Sequence, residues 1–467
     1  MRPRLESLLI VSTIALLPFM AFAQNNDNQE QAQFKALFRE LVEIDTSHTT
    51  GNTTRGVEAA ARYLRQAGFE DKDLQIFEPF PGKGNLVARL RGDGSREPLL
   101  VVSHLDVVDA SAQEWGRDPF KLLEKDGQYY ARGVLDDKPT AAVYLSILGQ
   151  LKREGYRSSR DIILALTSDE ERHDVPSNGV FWLTHNHPEL LRAEFAMIQG
   201  GSGELRKGKP ALMRIGVAQK NYLSTTWQAR NTGGHSSAPR GDNAIYELSS
   251  ALLRLQTYRF PASASATVRP YLAHSAPFAT GQLAADLQRA GTGVLDGDTA
   301  ERLSQSPVYN ALLRTTCVAT RLESDGPENA LPQFVRATVN CRVLPGESLK
   351  QIEQTLVQIA GPGIEVQRLK GTEGALSSST DNPLYRAIEK TVHTAYPDVV
   401  SVPWLTAGST DARHLRTIGI PTYGFLGVFA DPDKPWNAHG VDENINIAQL
   451  VNARVISLAL LKDLTEH

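Results

Sequence analysis

Leu99-Leu100-Val101-Val102-Ser103-His104 is an unbroken apolar run that ends in two polar residues, and Ile162-Ile163-Leu164-Ala165-Leu166-Thr167 repeats the pattern. Short runs without alternation read as strands buried on both faces. A helix is expected between them, over about 140–154. Buried strands separated by helices indicate an α/β fold, a mostly parallel twisted sheet flanked by helices. In such sheets ligands bind beyond the carboxyl ends of the strands. The residues that follow Ser103 and Thr167 are therefore the first place to look for chemistry.

Working outward, Phe34, Leu37, Phe38, Leu41 and Val42 recur with helical period, as do Val57, Ala60, Ala61 and Leu64 before Gly68. The region 212–369 reads differently. Strands near 212–218, 223–230, 316–322 and 334–343 surround helices near 243–255 and 348–360, which suggests a smaller unit with an antiparallel sheet, inserted into the first. Beyond Asp381 the alternation resumes, with helices over 383–396, 411–418 and 447–461 and strands over 399–405 and 421–427. Residues 261–275, rich in Ala, Ser and Pro, read as the longest loop.

The chain has 467 residues, 41% of them hydrophobic and 22% charged, with a formal net charge of -4. That length exceeds one ordinary core and implies two domains or three. With 49 basic and 53 acidic residues there is no broad footprint for nucleic acid. Two cysteines exclude a disulfide scaffold and a four-thiolate metal site. At the N-terminus, Arg2 and Arg4 precede an apolar segment over 8–23 that ends in Ala21-Phe22-Ala23, the layout of a cleaved signal peptide. The segment is shorter than the roughly 20 residues of a membrane span, and Pro18 interrupts it. Cleavage after Ala23 is expected, leaving no stable membrane span and a periplasmic or secreted protein.

Four polar clusters stand out, three of them where strand ends or a helix start would put ligands. His104 and Asp106 point the same way from an extended chain, so Asp106 can accept the spare ring N–H of His104 and fix its tautomer. Asp136-Asp137 stands directly before a helix, where alone it would be an N-cap with a solvated neighbour. Glu170-Glu171 follows the second buried strand, and a plain acidic loop is the blander reading there. His439 lies in Ala438-His439-Gly440-Val441-Asp442-Glu443, and a lone loop histidine usually means nothing. Together they supply the inventory of a zinc site in which one carboxylate bridges two ions and another serves as base.

These clusters sit in longer stretches that resemble the co-catalytic zinc metallopeptidase and amidohydrolase family of glutamate carboxypeptidase, aminoacylase and succinyl-diaminopimelate desuccinylase. The stretches are SHLDVV (103–108), EWGRDPF (114–120), YYARGVLDDKPTAA (129–142), TSDEE (167–171), GGHSSAP (233–239), ENALP (328–332), GSTDAR (408–413) and HGVDE (439–443). They follow the family's order and span nearly all of the chain after the leader. The resemblance implies two zinc ions, with His104 on one, Asp136 bridging, Glu171 and His439 on the other, Asp106 behind His104, and a cis Asp136–Asp137 peptide. Glu170 would be the general base that takes a proton from zinc-activated water and returns it to the leaving amine. His235 would steady the oxyanion, often from a partner subunit. Asn329 would contact substrate, and Arg413 with the loop from Gly408 would hold a substrate carboxylate. On the residues alone, Arg413 reads equally as a surface arginine.

The implied protein is a hydrolase, either a metallo-exopeptidase of carboxypeptidase or dipeptidase type or an N-acyl amino acid amidohydrolase. Its substrate would be a short peptide or an N-acyl amino acid. The implied division is a signal peptide over 1–23, a zinc-binding catalytic domain split over 24–211 and 373–467, and an inserted lid or dimerisation domain over 212–372, through which a homodimer would form.

One position departs from the family. Relatives carry an acidic third ligand for the His104 ion after a strand like that at 195–198, whereas this chain reads Ile198-Gln199-Gly200-Gly201-Ser202-Gly203-Glu204. Gln199 or Gly200 stands there without a carboxylate, so the His104 ion should be held less tightly. Three outcomes stay open: Glu204 reaches in, the enzyme runs on one metal, or the chain binds ligand with little turnover. A serine hydrolase is disfavoured, because no G-x-S-x-G elbow is present. Cys317 and Cys341 lie equally far on either side of Asn329. Antiparallel pairing of the strands that carry them would bring the thiols together, so a disulfide and two reduced core thiols both stay open.

Overall fold

In the computed structural model, Leu99–His104 and Ile162–Thr167 are strands buried at every position. They run parallel in full register, from Leu99 opposite Ile162 to His104 opposite Thr167. The missing alternation has a simple cause. Leu99 and Val101 face one core, and Leu100 and Val102 face another. The helix Lys138–Arg153, buried along most of its length, closes the first core. Val180 and Leu183 of the helix Gly179–Asn186, with Ala412 and Leu415 of Ala412–Thr417, close the second. The structure describes residues 17–172, 175–372, 376–432 and 437–466, with side chains from Asn28 onward, so the side chains of the expected leader lie outside it.

Ten strands form the large sheet. From one edge the order is Leu74–Phe77, Asn85–Leu90, Ile162–Thr167, Leu99–His104, Phe195–Ile198, Thr422–Gly424, Lys209–Gln219, Gly203–Arg206 and Phe429–Ala430, with Val400–Thr406 laid against Lys209–Gln219. The central four, from Ile162–Thr167 to Thr422–Gly424, are parallel. Their carboxyl ends therefore open onto one edge of the sheet. Among the described residues, no helix is long and apolar enough to cross a membrane.

A second sheet is antiparallel, in the order Thr316–Ser324, Phe334–Val343, Asn221–Arg230, Ile364–Thr372. Phe334–Val343 alternates half-buried and buried positions without a break, because only one face is covered. Val335, Ala337 and Val339 pack there with Trp227 against Leu248 of the helix Ala244–Thr257 and Leu356 of the helix Leu349–Ala360.

Three elements differ from the sequence expectation. The strand expected near 212–218 in the smaller unit is part of Lys209–Gln219 and pairs in the large sheet. Strand pairing is a long-range property that a local pattern does not report. Within the expected loop 261–275, Arg269–Ser275 is a helix that starts with Pro270 in its first turn, where proline lacks nothing the helix needs. Tyr271 and Leu272 bury it against the large core. The expected strand over 421–427 is only Thr422–Gly424, because the chain must leave the sheet for the loop to His439.

Cys317 and Cys341 face each other in register and form a disulfide. The bond closes a loop of 24 residues between adjacent strands. Loop closure of that length stabilises a fold by about 3 kcal/mol in the chain-entropy description. Replacing both cysteines by serine should lower stability by about 2–4 kcal/mol in denaturant unfolding, and alkylation of the native protein without reductant should label neither thiol.

Candidate metal centre

His104 ends the strand Leu99–His104, and Thr167 ends its parallel neighbour, so His104 and the turn Ser168–Glu171 emerge side by side. Asp106 binds the two together. Its carboxylate accepts the backbone N–H of Glu170 at 3.2 Å and of Glu171 at 3.0 Å. The ring Nδ1 of His104 is 3.0 Å from the backbone carbonyl of Asp106 and 3.6 Å from its carboxylate. The tautomer expected from the Asp106 carboxylate is thus held first by its carbonyl. Asp169 sits at φ +56°, and Lys83 Nζ at 2.7 Å and Ser177 Oγ at 2.5 Å hold its carboxylate.

Asp136 stands between the two histidines. His104 Nε2 is 3.0 Å from its Oδ1, and His439 Nε2 is 3.4 Å from its Oδ2. His439 Nε2 also lies 2.8 Å from Glu171 Oε1. The Asp136–Asp137 peptide is cis. Glu443, fully buried, positions this segment: its carboxylate accepts the N–H groups of Gly133, Leu135 and Asp136 at 2.8–3.1 Å and Arg132 Nη1 at 2.6 Å. Arg132 in turn donates to the carbonyls of His439 and Gly440. Both residues lie within quoted stretches, yet neither was singled out, because each acts through a partner about 300 residues away.

The donor set fits a divalent cation. Ligand atoms of His104, Asp136 and Glu171 lie within 4.8 Å of one another, the imidazole and carboxylate chemistry that zinc accepts. Burial works against the charge of Asp136, but its hydrogen bonds to His104 and His439 prevail and hold it below the usual carboxylate range. Hydrogen bonds to Asp136 and Glu171 push His439 up to about 10. Burial opposes protonation of His104, yet the bonds to Asp106 and Asp136 raise it. The carboxylates thus draw positive charge onto both imidazoles, a charge that a bound cation would supply instead. Burial lifts Glu170 well above the usual range, with His104 opposing and Asp411 adding to the rise. Asp137, also buried, is pushed up to about 7.

Gln199 follows the strand Phe195–Ile198, the other parallel neighbour of Leu99–His104. Its Nε2 is 3.4 Å from Glu170 Oε1, and its Oε1 is buried without a hydrogen-bond partner among the described residues. Glu204 does not reach in. It is buried elsewhere, held by Arg206 at 2.5 Å, Tyr271 Oη at 2.9 Å and Arg214 at 3.3 Å, so that alternative is withdrawn.

The other candidates form two groups. His235 pairs with Ala330 across a two-residue ladder, and Ser236 N donates to the carbonyl of Asn329, which brings His235 and Asn329 together. His235 is exposed, and its Nδ1 is 2.8 Å from Ser237 Oγ in its own turn. Arg413 is buried rather than on the surface, and its Nη1 donates to Ser409 in the loop that follows Gly408. Gln219 holds that loop through Ser409 and Thr410. Two residues here were missed by sequence reasoning. Asp411 is buried, with Asn178 on Oδ1 and no partner for Oδ2 among the described residues. Arg342, at the end of Phe334–Val343, feels the charge of Arg413 and keeps a buried Nη1 without a hydrogen-bond partner among the described residues. Asp411 is legible only as part of GSTDAR, and Arg342 reads simply as a polar strand position.

A model of peptidase family M20/M25/M40 matches residues 100–463. Human N-fatty-acyl-amino acid synthase/hydrolase PM20D1 is 28% identical over 366 residues, 76% of this chain and 72% of the human protein. Two solved structures share the fold. The M20 family metallo-carboxypeptidase Sso-CP2 from Sulfolobus solfataricus aligns with TM-score 0.66 and 18% identity, over 92% of this chain and 98% of that one. The Bacillus subtilis YXEP protein, described as a dinuclear metal binding peptidase, aligns with TM-score 0.60 and 12% identity, over 94% and 99%.

Glu443→Ala leaves Arg132 buried without its carboxylate and frees three N–H donors. Breaking a buried pair in this way costs about 3–5 kcal/mol. Denaturant unfolding should show that loss, and metal affinity should fall by about 10–100-fold, as for other residues that orient a ligand.

Proposed function

From the premise that the chain belongs to peptidase family M20/M25/M40, we propose that it is a zinc-dependent hydrolase that cleaves the amide bond of a short peptide or N-acyl amino acid. The observation that carries this reading is the buried carboxyl of Glu170 beside the cluster of His104, Asp136, Glu171 and His439. His104 and Asp136 would hold one ion, and Asp136, Glu171 and His439 a second. When bound, such ions polarise an amide carbonyl and lower the pKa of water from about 15.7 toward 7. Burial keeps Glu170 a strong enough base to take a proton from the attacking water, and its Oε then carries that proton to the departing nitrogen. Asp106 holds the Glu170 and Glu171 amides, so the base and the ligand next to it move as one piece.

Two arginines support a reading of the substrate class. Arg413 stands on the helix Ala412–Thr417 and Arg342 on the strand Phe334–Val343, and burial first, then repulsion by the charge of Arg413, lowers Arg342. A carboxylate placed between them would relieve that repulsion and accept from both. A free carboxylate is common to N-acyl amino acids and to the C-terminal end of peptides. The loop from Gly408 would add backbone hydrogen bonds to such a group, and Asn329 and His235 would meet the scissile amide from the smaller unit. The human relative's name, an N-fatty-acyl-amino acid synthase/hydrolase, and that of the Sulfolobus metallo-carboxypeptidase are both consistent with such substrates. A cleaved leader would place the mature chain in the periplasm or outside the cell, where the Cys317–Cys341 disulfide suits an oxidising environment.

The exposure of His235 fits a role completed by a second copy. Thr316–Ser324 is an edge strand of the second sheet, exposed along most of its length, with Val318 and Leu322 in solvent at 59% and 66%. Edge strands of this kind pair with one another unless blocked. Sedimentation should give the mass of a dimer, and Leu322→Lys should give the monomer; a monomeric native chain overturns this part of the reading.

Glu170→Gln should lower turnover of an N-acyl amino acid by about 100- to 10,000-fold while the protein keeps its bound metal. Activity should likewise vanish on chelation and return with zinc. Full activity in Glu170→Gln would sink the mechanism.

A further inference from the structure

The ligand groups around Asp136 are not shared evenly. On one side Glu171 and His439 stand 2.8 Å apart, with His439 3.4 Å from Asp136 Oδ2. A cation there meets two carboxylates and an imidazole. On the other side His104 Nε2 lies 3.0 Å from Asp136 Oδ1, and the strand next to it delivers Gln199 to the same edge. Gln199 carries no charge. Its Nε2 points to Glu170 Oε1 at 3.4 Å, and its buried Oε1 has no hydrogen-bond partner among the described residues.

A buried carbonyl oxygen left without a partner is costly, so its position favours a donor or a cation in front of it. As a cation ligand it is weak, because a neutral oxygen adds no charge-to-charge attraction. The amide end does what a carboxylate could not: it meets Glu170 as a donor, where a second anion would repel it.

We propose that Gln199 splits the centre into two unequal cation sites, firm at Asp136, Glu171 and His439 and weak at His104, Asp136 and Gln199 Oε1, while its amide holds the carboxyl of Glu170. The inference rests on the metal-dependent reading above. Its consequence is that the resting protein carries one tightly held ion, and the second enters only at high metal concentration.

The test is the number of zinc ions per full-length folded chain after loading and dialysis, read by plasma mass spectrometry, together with a competitive zinc titration. The native chain should retain one ion, and Gln199→Glu should retain two, with the affinity of the second raised by roughly 100-fold. Two ions retained by the native chain would overturn the proposal without any variant, and so would one ion in both proteins. No ion in either protein would remove the metal-dependent reading itself, an outcome distinct from the other two.

Discussion

The carboxylate of Glu443 is the constraint on which the centre depends. Ligands drawn from separate stretches of chain can meet only if the loops that carry them are held rigidly, and two of those loops have no regular structure of their own. Glu443 joins them. It accepts the backbone donors of Gly133, Leu135 and Asp136 and pairs with Arg132, whose other nitrogen grips the backbone at His439. A buried ion pair is often no more stable than a well-packed apolar pair. This one is accompanied by the full set of hydrogen bonds to the carboxylate, which gives position rather than raw stability.

A second layer of constraint comes from the sheet. Because the central strands are parallel, His104, the Glu170–Glu171 turn and Gln199 leave the sheet at one edge. His104 stands on a ladder buried on both faces, and the other candidate residues follow the ends of such ladders within a few positions. The cost is a concentration of buried acid. Asp106, Asp137, Glu170 and Asp411 are all withdrawn from water in this region, and burial lifts Asp137 and Asp411 toward neutrality. The two histidines offset part of that charge, whereas Lys83 and Arg132 are taken up by Asp169 and Glu443. The remainder is what cations are suited to balance.

This division of labour explains which features were legible in the sequence. Leu99–His104 and Ile162–Thr167 were readable because a double-sided core leaves a run without alternation, and Phe334–Val343 because a single-sided one leaves strict alternation. His104, Asp136, Glu171 and His439 were readable because each ends or precedes a regular element or lies in a stretch shared with a family. Glu443, Asp411 and Arg342 were not, since their roles exist only across distant contacts and their residue types are ordinary at the surface. The helix Arg269–Ser275 was hidden for a related reason. Its composition is that of a loop, and the large core against which Tyr271 and Leu272 pack supplies the order.

The two sheets meet where chain polarity changes use. Lys209–Gln219 ends in the large sheet, and Asn221–Arg230 begins the antiparallel one, with only Lys220 between them. Lys220 is fully buried and donates to the carbonyl of Arg314 at 2.6 Å, so this crossing is pinned rather than a free hinge. Gln219, one residue earlier, holds the Ser409–Thr410 loop that meets Arg413. Arg342 lies one residue before the end of Phe334–Val343 and pairs directly with Tyr222. The two arginines that would share a substrate carboxylate are thus anchored within a few residues of the same crossing. An anion bound between them would lower their mutual repulsion, and a crossing pinned at Lys220 would hold the two guanidinium groups in place for it.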